Sequence, residues 1–373
     1  MVCYPTYGGS GVIATELGKE LASKGHKIHF ITYMPPVRLD SFDENLFYHE
    51  VGVADYPLFQ YPPYETALAS KMVDVISHEH LDILHVHYAI PHAAVAFIAK
   101  SILAEQNIVC PVVTTLHGTD ITLVGKDKSY LPVVKFSIEH SDGVTTVSEF
   151  LKKATYEHFD INKEIEVITN FVDFTRFNKT DKGHFKKAIA PNGEKIFIHT
   201  SNFRPVKRVE DVILTFNKVK QKIPSKLLLI GDGPDKALIE DLCREKDIMD
   251  DVRFLGKQEA VEELLSIGDI FLLPSDTESF GLAALEAMAC GLPVISTNTG
   301  GLPEFNIQGE TGFMSDLGDV DDMAENCLKI LADEATLKDF GEKAFKQSLN
   351  YDVKNIVPVY EEFYESIIQG VHV

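Results

Sequence analysis

Cations are scarce in this sequence. Its 373 residues carry 35 Lys and Arg against 56 Asp and Glu, a formal net charge of -21 with a sequence pI near 5.0. So acidic a chain repels an extended polyanion, which disfavours nucleic acid and an anionic membrane surface as partners; any phosphate it handles must be met by a local device. Cysteine is sparse as well: Cys3, Cys110, Cys243, Cys290 and Cys327 are odd in number, scattered, without a C-x-x-C and without ligand spacing to histidine. That argues against a structural zinc held by cysteine and for a reducing compartment. No apolar run approaches the roughly 18 residues of a membrane span, and no signal peptide precedes the first motif, so the cytoplasm is the expected location.

What is present fits an ordinary globular chain. With 45% hydrophobic residues, 24 Gly and 17 Pro, a chain of this length is expected to fold as two or three domains of roughly 150 residues and to bury a sizeable core. A short apolar stub, Val2 to Tyr4, leads into Pro5-Thr6-Tyr7-Gly8-Gly9-Ser10-Gly11, after which Val12, Ile13, Leu17 and Leu21 recur at helical spacing. Only Met1 and Val2 precede Cys3, so either the start is truncated or the first strand is unusually short. Further strands are predicted at residues 27–32, 81–87 and 112–116, each followed by Gly or Pro and a helical stretch. After residues 165–168 the pattern restarts, with strands at 195–199, 226–230, 252–255, 269–273 and 293–296 and a helix at 209–219. Residues 170–192 are polar and lack a core pattern, which places the domain junction at their start: residues 1–169, then 170–355, with a final helical segment at 356–373. Helical runs at 320–332 and 357–368 close the chain. Short strands alternating with helices predict an α/β protein built on two mostly parallel sheets, each covered on both faces.

Ligands of open parallel sheets bind beyond the carboxyl ends of the strands, so the loops there carry the candidates. Gly8-Gly9-Ser10-Gly11 opens a helix; its amides suit an anion or a sugar, although a plain tight turn is the alternative, since it is neither G-x-G-x-x-G nor a P-loop with its Lys. His85, His87 and His92 cluster near a strand end, with His85 and His87 on one face; the readings are a metal site, pocket lining with Tyr88, or buried structural rings. His117-Gly118-Thr119-Asp120 follows the strand at 112–116 and points an imidazole, donor and acceptor at once, beyond the strand end, the alternative being a core or surface histidine. Asn202-Phe203-Arg204-Pro205-Val206-Lys207-Arg208 brings three cations together in a chain of net charge -21, as a diphosphate requires, the alternative being a solvated basic turn. Glu278-Ser279-Phe280-Gly281-Leu282-Ala283-Ala284-Leu285-Glu286 sets two carboxylates eight residues apart. One lies in the loop and one in the helix, able to accept from different hydroxyls of one elongated ligand, while the intervening amides form an anion nest.

The E-x7-E with its Ser-Phe-Gly, the Gly-Gly-Ser-Gly loop, His117-Gly118-Thr119-Asp120 and Gly231-Asp232-Gly233-Pro234 together resemble the family 4 retaining glycosyltransferases. The resemblance runs over essentially the whole chain. It implies the GT-B fold, two Rossmann-like domains facing a central cleft, with the donor on the second. Tyr61-Pro62-Pro63-Tyr64, residues 85–92, residues 114–122 and Ser201 to Arg208 narrow it to the branch that moves N-acetylglucosamine from UDP-N-acetylglucosamine to L-malate in the first step of bacillithiol biosynthesis. On that resemblance Lys207 binds the donor diphosphate with Arg204 nearby, while Asn202 stands where the family often has arginine. Glu286 holds the ribose, Glu278 the transferred sugar, and the amides of Ser279, Phe280, Gly281 and Leu282 the sugar and phosphate oxygens. Gly9, Gly231 and Leu255 border the donor. His117 lies near the reaction centre, making His117, Lys207 and Glu278 the implied catalytic group, and Ser10, Tyr88 and Thr119 fall on the malate side. The resemblance implies no metal and no cofactor beyond the substrates, and the final helix is expected on the first domain. A homodimer is the commonest assembly for such a chain. Alternatives are another small or lipid acceptor, or a noncatalytic nucleotide-sugar-binding protein; a dehydrogenase is disfavoured because its glycine fingerprint and ribose-binding acid are missing.

Overall fold

Parallel strands buried on both faces need helices between them, and both halves of this chain supply them in alternation. The computed structural model describes residues 1–40, 42–53, 61–123, 127–179 and 183–370. Residues 180–182 of the polar junction and 371–373 of the last segment lie outside the described residues. The chain divides into two units, one of Met1–Asn170 with Val353–Val373 and one of Phe171–Asp352.

In the first unit α1 (Gly9–Ser23) leads to β1 (Ile28–Thr32), which pairs in parallel with β2 (Leu46–Glu50). Helix α2 (Tyr64–Glu79), β3 (Leu84–His87), α3 (Ala94–Glu105), β4 (Val112–Leu116), α4 (Leu131–Glu139), β5 (Gly143–Thr146), α5 (Glu149–His158) and β6 (Glu166–Val167) follow. Strands β3 to β6 lie side by side in chain order, all parallel. Met1 and Val2 lie between β1 and β3: Val2 bridges Val86, and the Met1 carbonyl accepts from Ile31 N–H at 2.9 Å. This bridge stands where the sequence places the first strand.

The second unit holds α6 (Gly183–Ile189), β7 (Lys195–Thr200), α7 (Val209–Lys220), β8 (Ser225–Ile230), α8 (Lys236–Glu245), β9 (Val252–Gly256), α9 (Val261–Leu265), β10 (Ile270–Leu273), α10 (Leu282–Ala289), β11 (Val294–Thr297), β12 (Gly312–Ser315), α11 (Val320–Ile330) and α12 (Glu334–Ser348). Its parallel sheet runs β12-β11-β10-β7-β8-β9. Val209, Val212, Ile213, Phe216 and Val219 make one stripe of α7 and pack on Phe197, Leu227, Leu229 and the α11 side chains Met323 and Cys327, all buried. The last helix, α13 (Val353–Ile368), belongs to the first unit and lies close over β5, where a Cβ on Gly143 would come within 2.8 Å of Phe363 and Ile367.

Beyond one-residue shifts, several elements differ from the periodicity. The strand expected from residue 81 begins at Leu84, and the helix expected to reach 332 stops at Ile330. Helix α12 has no counterpart in the sequence reading because its apolar positions are few; Asp333 starts it by accepting from Thr336 N–H at 2.8 Å. The final helix starts at Val353 rather than near 356. Among the described residues no helix is long and apolar enough to cross a membrane.

Candidate active site

In the second unit the strand order reverses between β10 and β7. Loops leaving such a switch point diverge and open a crevice at the strand ends. They are residues 201–208 after β7 and 274–281 after β10, so Lys207 and Glu278, 71 residues apart in sequence, meet: Lys207 Nζ donates to Glu278 Oε1 at 2.6 Å. Ser275 Oγ donates to the same oxygen at 2.7 Å. The pair is largely withdrawn from solvent, its side chains 22% and 12% exposed. Asn202 and Arg204 are exposed on the same loop. Behind it, His199 bonds the Leu272 carbonyl and Ser201 Oγ, both at 2.8 Å, and burial pushes its ring down to about 4, so it is neutral beside Lys207.

Glycines let the neighbouring loops press onto these. A Cβ on Gly231 would fall 1.8 Å from the Ser201 carbonyl oxygen, one on Gly233 2.0 Å from that of Asn202, and one on Gly300 1.9 Å from that of Glu278. Gly231 and Gly300 also have φ of 123° and 66°, so only glycine fits both the backbone and the space. Gly281, at φ 106°, precedes α10; no side chain caps that helix and no acid lies in its first turn. The amides that open α10 thus form a positive helix end with no side-chain cap. The Phe280 ring is core, stacked on Phe305 at 5.1 Å, so this residue has only its backbone to offer. Leu282 and Leu255 are half-buried at the start of α10 and near the end of β9, and Glu286 is buried one turn into α10.

In the first unit the equivalent reversal lies between the Val2 bridge and β3, and the loops after them again meet. Tyr88, at φ 87°, donates through its hydroxyl to Ser10 Oγ at 2.8 Å. Ser10 and the exposed Gly9 lie in the first turn of α1, which also lacks a side-chain cap and an acid. A Cβ on Gly11 would strike the Tyr4 carbonyl oxygen at 2.4 Å, which ties this turn to the stub before it. Tyr88 packs its ring against His117, centroids 5.2 Å apart, and Thr119 is exposed two residues on.

His117 Nε2 bonds His87 Nδ1 at 2.7 Å, leaving Nδ1 as the ring nitrogen outside that bond. Burial, then the nearby His92, pushes His117 down to about 3, so its ring is neutral. Asp120 ties its loop to the Tyr88 loop by accepting from Gly118 N–H at 3.0 Å and Ala89 N–H at 2.9 Å. The other histidines of the sequence cluster go to the interior. His92 Nδ1 bonds the His87 carbonyl at 2.5 Å, and His85 links Tyr364 of α13 to Thr115, each at 2.7 Å. Tyr364→Phe would leave His85 Nδ1 buried without a donor, at an expected cost of about 1–3 kcal/mol. Urea unfolding would read the cost, and a loss below about 0.3 kcal/mol would refute the role of this bond.

The sequence reading did not reach His87 as the partner of His117, nor Asp120, His199, Ser275 and Gly300-Gly301 as supports. Gly300-Gly301, three residues past the end of β11, was the one legible signal among them.

Residues 7–176 match the model described as Glycosyltransferase Family 4, and residues 181–347 that described as Glycosyl transferases group 1. The chain is 48% identical over 372 residues to N-acetyl-alpha-D-glucosaminyl L-malate synthase of Bacillus anthracis, covering 99% of this chain and 97% of that one. Among solved structures it is similar to Anabaena HepE in complex with UDP and glucose, with a TM-score of 0.82, 19% identity and 98% of each chain covered. It is also similar to sucrose-phosphate synthase from Thermosynechococcus elongatus, with a TM-score of 0.81, 20% identity and 99% and 98% covered. At those identities the solved structures speak to fold alone.

Proposed function

We infer the reaction from one premise: the chain belongs to glycosyltransferase family 4 and has the GT-B fold of two Rossmann-like units. It is a glycosyltransferase that moves N-acetylglucosamine from UDP-N-acetylglucosamine to the hydroxyl of L-malate, giving N-acetyl-α-D-glucosaminyl L-malate and UDP. The Bacillus anthracis relative's product supports these substrates; within the structure, the Lys207–Glu278 pair at the switch point carries the reading.

An incoming diphosphate offers Lys207 a denser negative charge than one carboxylate. Lys207 exchanges Glu278 for phosphate oxygens, and Glu278, still fixed by Ser275, is freed to accept from a sugar hydroxyl. The uncapped start of α10 takes a further phosphate oxygen, Arg204 and Asn202 border the diphosphate, and Glu286 accepts from the ribose. On the first unit Ser10, Tyr88, Thr119 and the start of α1 receive malate, whose carboxylates need hydrogen-bond donors and a positive helix end. His117 offers Nδ1 to a hydroxyl without adding a charge near the developing oxocarbenium ion.

The bond from the anomeric carbon to the β-phosphate oxygen breaks, and the malate hydroxyl oxygen bonds that carbon on the same face. Its proton passes to a phosphate oxygen of departing UDP, so configuration is retained. Fixed cations and amides stabilise the leaving charge, and we place the reaction in the cytoplasm, which suits five free, buried cysteines.

Incubation with UDP-N-acetylglucosamine, with and without L-malate, is expected to give a malate-dependent conjugate by mass spectrometry, with an α-anomeric signal by NMR. Turnover only with another hydroxy compound would overturn the acceptor. Turnover is expected to survive excess chelator; complete loss restored by magnesium would overturn metal independence.

A further inference from the structure

Away from these loops, the first unit carries a histidine pair that the transfer reaction does not use. His29 on β1 is buried, and His49 lies on β2. Register pairs His29 with Phe47 and Ile31 with His49. Paired residues of parallel strands share a face, and so do residues two apart, so His29, Phe47 and His49 form one row. The His29 ring stacks on Phe47 at 4.6 Å between centroids and meets the His49 ring edge to edge, centroids 5.1 Å apart. His29 Nδ1 and His49 Nε2 are 2.9 Å apart. Glu79, the last residue of α2, brings an exposed carboxylate to the same place, and one ligand atom from each of the three lies within 4.8 Å of the others.

We propose that His29, His49 and Glu79 form a binding site for a divalent transition-metal ion of the zinc class, separate from the glycosyl-transfer machinery. Two imidazole nitrogens at zinc bond lengths of about 2.0–2.1 Å in a tetrahedral shell stand about 3.3 Å apart. Opening the present pair by about 0.4 Å reaches that spacing, and the half-buried His49 ring can make the shift. Two imidazoles and one carboxylate are the donor set of a zinc site that keeps a fourth position for water, which the exposed side at Glu79 admits. A metal ligand must be a neutral imidazole. The 2.9 Å contact places one hydrogen between the facing nitrogens, so the ring that carries it must move its proton to its other nitrogen as the pair opens to take the ion. A net charge of -21 adds a general attraction for cations.

The same end of α2 offers a competitor, His78, whose Nδ1 lies 3.2 Å from Asp74, with His80 next to Glu79. Isothermal titration of the full chain with zinc, with cobalt(II) absorption as a geometric readout, separates the two. The expected result is one ion per chain with tetrahedral cobalt absorption and a melting temperature raised by a few degrees in excess zinc. A direct ligand matters more than the outer-shell groups whose loss costs about 10–100-fold in metal affinity, so His49→Ala is expected to weaken binding by at least about 100-fold. Glu79→Gln, exposed and unable to disturb the core, is expected to weaken it by about 10-fold or more, and the His78→Ala/His80→Ala double variant to keep it. Sugar transfer by His49→Ala is expected to be unchanged, which shows that it folds. Absence of stoichiometric binding to the unmodified chain, undiminished binding in either His49→Ala or Glu79→Gln, or loss in the double variant would overturn the proposal.

Discussion

Lys207→Ala is expected to lower kcat/KM for the nucleotide sugar about 1000-fold, equivalent to about 4 kcal/mol of transition-state stabilisation. Two effects add. The variant loses the one ammonium that the loop after β7 places in the crevice of the second unit, and it leaves Glu278 with a charge but no cation, facing the diphosphate it should help receive. Because charge on the leaving phosphate grows as the sugar bond breaks, the loss should fall on kcat as well as KM. Lys207→Arg should restore little: a planar fork does not replace a compact ammonium seated 2.6 Å from one carboxylate oxygen. Lys207→Ala/Glu278→Gln should be far from additive, since the second change removes the repulsion created by the first. An unchanged kcat at saturating donor would refute the diphosphate role. Circular dichroism should show native content in the variant, because Ser275 still holds Glu278.

Mild acid is expected to unfold the protein, with a cooperative midpoint between about pH 4.5 and 5.5. Burial pushes His92 and His199 down to about 4 and His117 to about 3, and holds His85 and His87 well below the usual range. In the unfolded chain all of these rings titrate near 6.5. As pH falls below that value the unfolded state takes up protons that the folded state refuses, so stability falls with acidification. At pH 5 the loss is about 2 kcal/mol each for His92 and His199, and the other rings add in the same direction. Asp120 opposes them. Burial, against its backbone hydrogen bonds, raises it to about 6, so it binds a proton in the folded state before it does in the unfolded one. That returns about 1 kcal/mol at pH 5. The net loss of several kcal/mol is a large part of the roughly 5–15 kcal/mol typical of a folded chain. Urea midpoints at pH 7, 6 and 5, followed by far-ultraviolet circular dichroism because the chain has no Trp, would read it. Equal stability across that range would refute the buried neutral state of these rings.

The limits of the sequence reading follow from range. Runs such as Ile270–Leu273 and Val112–Leu116, and the spacing of Val209, Val212, Ile213 and Phe216, are local patterns that local sterics and solvent exclusion impose, so strands and helices could be read within a few residues. Strand β5, Gly143–Thr146, is too short and threonine-rich to stand out, and α12 is too polar. The loop candidates were legible for a related reason: glycines and cations just after a strand have few structural uses.

By itself, the sequence determined the alternation of strands and helices, the excess of acid over base, and the residue types placed at the strand ends. Only the tertiary structure decided which of them meet. His85 bonds Tyr364 across 279 residues, and Lys207 reaches Glu278 across 71, because sheet order and register bring their elements together. No spacing along the chain encodes those distances. Nor could composition tell that His87 fixes His117 while His92 turns to a backbone carbonyl, since a histidine's tautomer and charge are set by what buries it and by the one partner within hydrogen-bond reach.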